Sequence, residues 1–242
     1  MELNPAVVNN VETLSNVPHI ILRGSEWFRS TGTVDTPGTM LFTVSGDVCK
    51  PGVYELPMGT SLRDLIFEHA GALRPGRTVK AVFSGISNPV ILPVLLGTSM
   101  DFGSFRRINS GLGSGGYIVY DDRACMVQVA YKFSEFLSTE SCSQCIACKY
   151  GTSQATNYLH RLVQGSGNEL DLEYVFAGAA MAPQGNRCYL PVEHSLLIPS
   201  IVRSFPDEFI QHYNRGCQSC RKVVLPKMVD FDESRGRFRY AS

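Results

Sequence analysis

The chain has no unbroken apolar run near the ~18 residues needed to cross a bilayer, which excludes direct membrane insertion. Its start, "MELNPAVVNN", has no basic segment leading into an apolar one, so no secretory signal is read there. Neither sign of charge is in excess: 22 Lys and Arg stand against 22 Asp and Glu. That balance removes the electrostatic reason to expect nucleic acid or an anionic membrane as the partner. Internal repeats are lacking too. With no export signal, eight cysteines are expected in a reducing, cytoplasmic compartment. There they serve metal or redox chemistry rather than a disulfide framework.

What is present divides by periodicity. Residues 1–38 read as irregular, with Trp27 and Phe28 available to anchor them on a core. Residues 39–121 read as a small α+β domain. Strand candidates there are "TMLFTVSG", "CKPGVYEL" after its turn, "TVKAVFSG", "PVILPVL" and "GYIVYDD". A short helix is predicted from Ser61, where Ser61 and Asp64 have capping-box spacing, Leu62, Leu65 and Ile66 share a face, and Gly71 is the stop. From Ala124 the period becomes helical, with Met126, Val129, Phe133, Phe136 and Leu137 on one stripe. Further helices are expected at about 151–164, 169–181, 193–204 and 206–213, making residues 122–215 an all-α bundle. Residues 216–242 are left as a tail.

Within this frame, "TESCSQCIACKYG" carries Cys142, Cys145 and Cys148 at C-x2-C-x2-C spacing. Two residues between thiolates let one turn aim them at a common centre, a geometry that serves both Zn²⁺ and iron–sulfur clusters. A triple run with a distant fourth cysteine suits a [4Fe–4S] cube better than zinc, or than uncoordinated thiols. Five other cysteines could complete the set. Cys49 lies in the α+β domain, and Cys125 falls by the stripe of the first bundle helix and reads as core filler. Cys188 follows Cys148 by 40 residues, in a loop between predicted helices, where backbone can bend toward a metal. Cys217 and Cys220 form a separate C-x2-C, read as free thiols or as half of a zinc site completed by another chain. His194, near Cys188, reads as a helix-start polar residue rather than a donor to the site.

Gly111, Gly113 and Gly116 satisfy G-x-G-x-x-G, but a dinucleotide loop must follow a strand and open a helix. Here the glycines precede an apparent strand, so a plain turn is the reading.

Several quoted stretches together carry a resemblance. "GLGSGGYIVYDD", "FSEFLSTESCSQCIACKYGT", the cysteine 40 residues on and "RSFPDEFIQHY" follow one another in order. "PAVVNNVETLSNVP" precedes them. The series resembles the C-terminal half of the NADH-binding flavoprotein subunit of respiratory complex I, also found in NAD-reducing hydrogenases and NAD-dependent formate dehydrogenases. The resemblance implies a β-grasp-like (SLBB) domain over 39–121 and a four-helix [4Fe–4S] domain over 122–215. Residues 1–38 then correspond to the end of a flavin domain and a linker.

It also implies Cys142, Cys145, Cys148 and Cys188 as cluster ligands, and Asn9, Asn10 and Thr13 as FMN contacts. Asx-turn capping is the alternative use of those three residues. FMN would need the family's flavin and NADH domain, expected before residue 1. The implied role is electron relay between FMN and the clusters of partner subunits, including a 2Fe–2S thioredoxin-like subunit. Any membrane association would be peripheral, through such a complex. No residue offers acid, base or nucleophilic chemistry, so the chain alone is expected not to be a complete enzyme. A zinc-holding interaction module and an inert fragment are the alternatives. Where the family reads C-G-x-C-x-P-C-R, this chain has Ser143, Ala147 and Lys149.

Overall fold

A computed structural model describes residues 6–217, 221, 223, 228–235 and 237–240. The chain forms two compact units, residues 1–122 and 123–242.

The first unit opens on two helices, α1 (Val11–Arg23) and α2 (Ser25–Arg29), where the sequence reads as irregular. Asn10 caps α1 by accepting from the Thr13 N–H at 3.1 Å. Pro18 lies inside α1 and obscures it in the sequence, because it removes one helical donor. Glu12 ties α1 to the sheet, its Oε1 accepting from the Leu41 N–H at 2.8 Å.

The strands are β1 (Thr39–Gly46), β2 (Gly52–Pro57), β3 (Val79–Ser84) and β4 (Gly116–Asp121), in spatial order β2-β1-β4-β3. β1 and β4 run parallel; the outer pairs are antiparallel. Between β2 and β3 comes α3 (Leu62–Asp64), continued by a π turn over Leu65–His69. Ser61 Oγ accepts from the Asp64 N–H at 3.0 Å, as the cap spacing implied. Leu62, Leu65 and Ile66 are fully buried against Phe42, Val44, Tyr117 and Val119 of the sheet. This is the α+β, β-grasp-like arrangement expected of the segment.

"PVILPVL" is not a strand. Ile91 alone bridges to Val82, and residues 93–95 form a 3₁₀ turn. Pro89 and Pro93 deny the ladder two donors. A short helix, α4 (Phe102–Arg107), is capped by Asp101 accepting from the Ser104 N–H. The glycine-rich stretch leads into β4, with Gly113 and Gly115 at positive φ, so it is a turn before a strand.

The second unit is helical: α5 (Met126–Glu140), α6 (Ile146–Gln164), α7 (Glu169–Met181), α8 (Leu190–Ser204) and α9 (Pro206–Gln211). Contacts α5–α6, α6–α7, α7–α8 and α8–α5 close the four long helices into a bundle. Met126, Val129, Phe133 and Leu137 are buried as the stripe predicts, whereas Phe136 is 40% exposed. α6 and α7 meet at a glycine pair. A Cβ on Gly151 would stand 2.5 Å from the Gly178 carbonyl, and one on Gly178 would stand 2.6 Å from the Gly151 carbonyl. His194 on α8 is fully buried and bonds Ser134 Oγ of α5 at 2.9 Å, while Ser134 bonds Thr156 Oγ1 of α6 at 2.7 Å. It is an interior link among three helices. Burial pushes its pKa down to about 4. Beyond the bundle, β5 (Met228–Asp232) and β6 (Arg237–Tyr240) pair as an antiparallel hairpin.

Candidate metal centre

The loop between α5 and α6 and the start of α6 set three of the thiols. Cys142 sits in the loop, Cys145 is the N-cap of α6, and Cys148 lies in the first turn of that helix. α6 therefore starts five residues earlier than the periodicity suggested, because the motif itself begins the helix. Ala147 is the second residue of α6, a position where the family's proline and this alanine both suit helical backbone. Ser143 is held at φ +60°, the left-handed region that favours the family's glycine. Its N–H reaches Ser141 Oγ at 3.3 Å, and Ser141 Oγ lies 3.3 Å from Cys148 Sγ. Thr152 Oγ1 donates to the Cys148 carbonyl at 2.8 Å.

Cys188 comes from the loop between α7 and α8, two residues before Leu190 opens α8. Asn186 Nδ2 donates to the Cys188 carbonyl at 2.7 Å and shapes that loop. The bundle brings the two loops together. Cys142, Cys145, Cys148 and Cys188 line one cavity of ≈ 110 Å³, with Glu140, Ser141, Leu190 and Pro191 completing its wall. A single water needs about 10–15 Å³ of such space, so the cavity has room for a group larger than one ion. Four cysteines from two loops at one cavity suit a cubane cluster. Cys142 and Cys188 are exposed, Cys145 is half-buried and Cys148 is buried, so the cavity opens at the surface. The N-terminus of the 19-residue α6, with Cys145 as its N-cap, lies at this cavity, and the positive end of its dipole favours negative charge there.

The other described thiols stay out of this cavity's wall. Cys49 is exposed in the turn after β1. Cys125 is buried as the N-cap of α5, and its Sγ lies 3.2 Å from His212 Nε2. Cys217 is half-buried beside that pair. Cys220 lies outside the described residues.

Asn10 and Thr13 line a second cavity, of ≈ 480 Å³, together with Glu12, Asn16, Phe28 and Phe102. The capping bond between Asn10 and Thr13 uses the Asn10 side-chain oxygen. Asn9 is exposed and outside that cavity's wall.

Two family profiles match the chain. The NADH-ubiquinone oxidoreductase-F iron–sulfur binding region covers residues 128–212, and the SLBB domain covers residues 41–82. The first spans the three-cysteine motif and Cys188. The chain is a homologue of the C-terminal half of the NADH-quinone oxidoreductase F-type subunits. It is 44% identical over 210 residues to one such F-type subunit, that of Rhizobium meliloti numbered 2, covering 86% of this chain and 50% of that protein. It is 34% identical to the NADP-reducing hydrogenase subunit HndC of Solidesulfovibrio fructosivorans, covering 86% of this chain and 43% of that one. A crystal structure of an NAD⁺-reducing [NiFe]-hydrogenase in the air-oxidized state superposes with TM-score 0.76 at 30% identity, over 86% of this chain and 36% of the hydrogenase chain. The chain thus spans about half the length, or less, of the relatives it matches. The cofactor of the matched iron–sulfur region is a [4Fe–4S] cluster. Among the described residues no helix is long and apolar enough to cross a membrane.

Proposed function

We propose that this chain is the electron-relay portion of an NADH-linked oxidoreductase, with Cys142, Cys145, Cys148 and Cys188 as the ligands of its [4Fe–4S] cluster. One observation carries the proposal: four cysteines from two loops line a single cavity inside the region matched by the iron–sulfur profile. When bound, a cubane supplies one-electron chemistry. The chain's own residues hold and tune it. The four thiols grip from two sides of the bundle. The start of α6 directs partial positive charge at the cavity. Leu190 and Pro191 keep part of that wall dry.

On this reading residues 39–121 are the SLBB domain and 122–215 the iron–sulfur domain. Residues 1–38 belong to the edge of a flavin domain whose FMN is held by sequence outside these 242 residues. Asn9, Asn10 and Thr13 would meet that FMN. Electrons pass singly between it and the clusters of partner subunits, among them a 2Fe–2S thioredoxin-like subunit, in a cytoplasmic complex that meets the membrane peripherally if at all. The names of the relatives support the setting: subunits of NADH-quinone oxidoreductase and of an NADP-reducing hydrogenase.

The test is iron and sulfide content with paramagnetic resonance of the reduced full chain. Cys188→Ser should lose the cluster or hold a damaged three-iron form, while Cys217→Ser should keep it whole. The reverse pattern would overturn the ligand assignment.

A further inference from the structure

Cys148 differs from the other three thiols of the four-cysteine cavity. It is 5% exposed, whereas Cys142 and Cys188 are exposed and Cys145 is half-buried. Water can donate to a sulfur at the surface and offset its negative charge, but it reaches Cys148 poorly. Among the described residues Cys148 is also the one cavity thiol with a hydrogen-bonding side chain on its sulfur. Ser141 Oγ lies 3.3 Å from Cys148 Sγ.

The direction of that bond follows from counting protons. A serine hydroxyl has one hydrogen to give and two lone pairs with which to accept. One lone pair takes the Ser143 N–H at 3.3 Å. The backbone that carries this N–H is left-handed, with Ser143 at φ +60°. A cysteine that holds a metal has lost its proton and can only accept. With Cys148 in that state, the Ser141 O–H is the donor and the sulfur the acceptor.

Both partners are held by their helices. Ser141 is the C-cap of α5, and Cys148 lies in the first turn of α6. Behind them Ser134 Oγ of α5 bonds Thr156 Oγ1 of α6 at 2.7 Å, and Ser138 Oγ stands 3.4 Å from Thr152 Oγ1. Thr152 in turn donates to the Cys148 carbonyl at 2.8 Å. Ser134 and Thr152 are fully buried, so these links are sheltered from competing water.

We infer that Ser141 is a potential-setting residue of this site: its hydroxyl donates to the Cys148 thiolate and favours the reduced state of the bound cluster. The inference rests on the ligand assignment proposed above. An electron arriving from the reduced flavin adds negative charge that the thiolate sulfurs share. A hydrogen bond to a charged acceptor is stronger than one to a neutral acceptor, so the Ser141 bond gains as that charge grows. Hydrogen bonds to the sulfurs are among the quantities that set cluster potentials. The Ser141 proton stays on its oxygen throughout.

The experiment uses the full chain, loaded with iron and sulfide, as wild type, Ser141→Ala, Ser141→Val, Ser141→Thr and Ser138→Ala. Iron and sulfide are measured first, and the reduced fraction is then followed by paramagnetic resonance against solution potential. Ser141→Ala and Ser141→Val should keep their iron. Their reduced-to-oxidised ratio at a fixed potential should fall about three- to tenfold, or roughly 30–60 mV for one electron. Ser141→Thr keeps the hydroxyl and should stay near wild type. Threonine and valine have nearly the same shape, so that pair separates the O–H from the packing. Ser138→Ala, one turn back on α5 and with no bond to a cavity sulfur, should leave the ratio unchanged. Equal ratios in Ser141→Thr and Ser141→Val overturn the inference. So does an equal shift in Ser138→Ala, or loss of iron from the Ala and Val chains with retention in Thr, which would make Ser141 a holding residue. A wild-type chain without a cluster, or a Cys148→Ser chain that keeps a whole one, removes the ligand assignment and this inference with it.

Discussion

Gly151→Ala tests whether the α6–α7 crossing positions the cysteine motif. In an exposed helix this change is favourable by ~1 kcal/mol, because alanine loses less backbone entropy. Here the new methyl would stand 2.5 Å from the Gly178 carbonyl oxygen and 2.7 Å from the Ala182 nitrogen. Both are backbone atoms of the facing helix, so no side chain can swing aside. Overpacking of this kind costs about 1–3 kcal/mol and more where backbone must move. The clash outweighs the propensity gain, and a net loss of about 2 kcal/mol is expected. For a chain of this size that is a fall of roughly 4–8 °C in thermal midpoint. The residue lies three positions after Cys148 on the same helix, so pushing α6 from α7 also displaces the thiols of its first turn. The assay is a circular-dichroism melt at fixed scan rate, with iron measured on the same preparations. A midpoint equal to or above wild type, with full iron content, would refute the reasoning.

Two further outcomes follow from the same structure. Ser143 sits at φ +60°, where a side chain costs about 1 kcal/mol, so iron retention on heating should rank Ser143→Gly above wild type and wild type above Ser143→Val, each step worth about that much; equal retention in all three would show that the loop relaxes freely. His194 has its pKa lowered from 6.5 to about 4 by burial, so its contribution to stability is whole above pH 6.5 and is lost as pH falls through 4, when the unfolded chain takes up the proton first; the loss is about 3 kcal/mol across that window, the His194→Gln variant should lack this component, and parallel pH–stability curves for the two proteins would contradict it.

Much of the site was legible because thiolate chemistry constrains spacing. Cys142, Cys145 and Cys148 must share one turn, and that requirement is written locally in the chain. The stripe of α5 and the cap at Ser61 were likewise local signals. The misses share a different cause. α1 has no buried residue in this structure, and Pro18 interrupts its pattern, so periodicity had no packed face to report. Residues 89–95 have a strand's composition, but only Ile91 finds a partner. Phe136 has the helical spacing of a core residue and an outward position, which the width of a stripe cannot exclude. The grouping of Cys125 with His212 and Cys217 depends on the close of the bundle. The first lies 87 residues before the histidine, a separation at which no spacing rule operates.

The four-cysteine cavity carries its two loop thiols, Cys142 and Cys188, on the exposed side and its helical thiol, Cys148, on the buried side. A centre held there would be gripped from within the fold and keep an edge open toward whatever docks. Electron relay needs that combination, because the group must stay fixed while its charge changes and still approach a partner. Cys125 and His212 have the opposite character: both are buried, and the His212 ring bonds inward to the Glu208 carbonyl of α9. A redox centre placed there would meet the cost of burying each change of charge. Cysteine identity is the same at both places. The difference in setting comes from whether the backbone turns the sulfur toward the surface or toward a histidine.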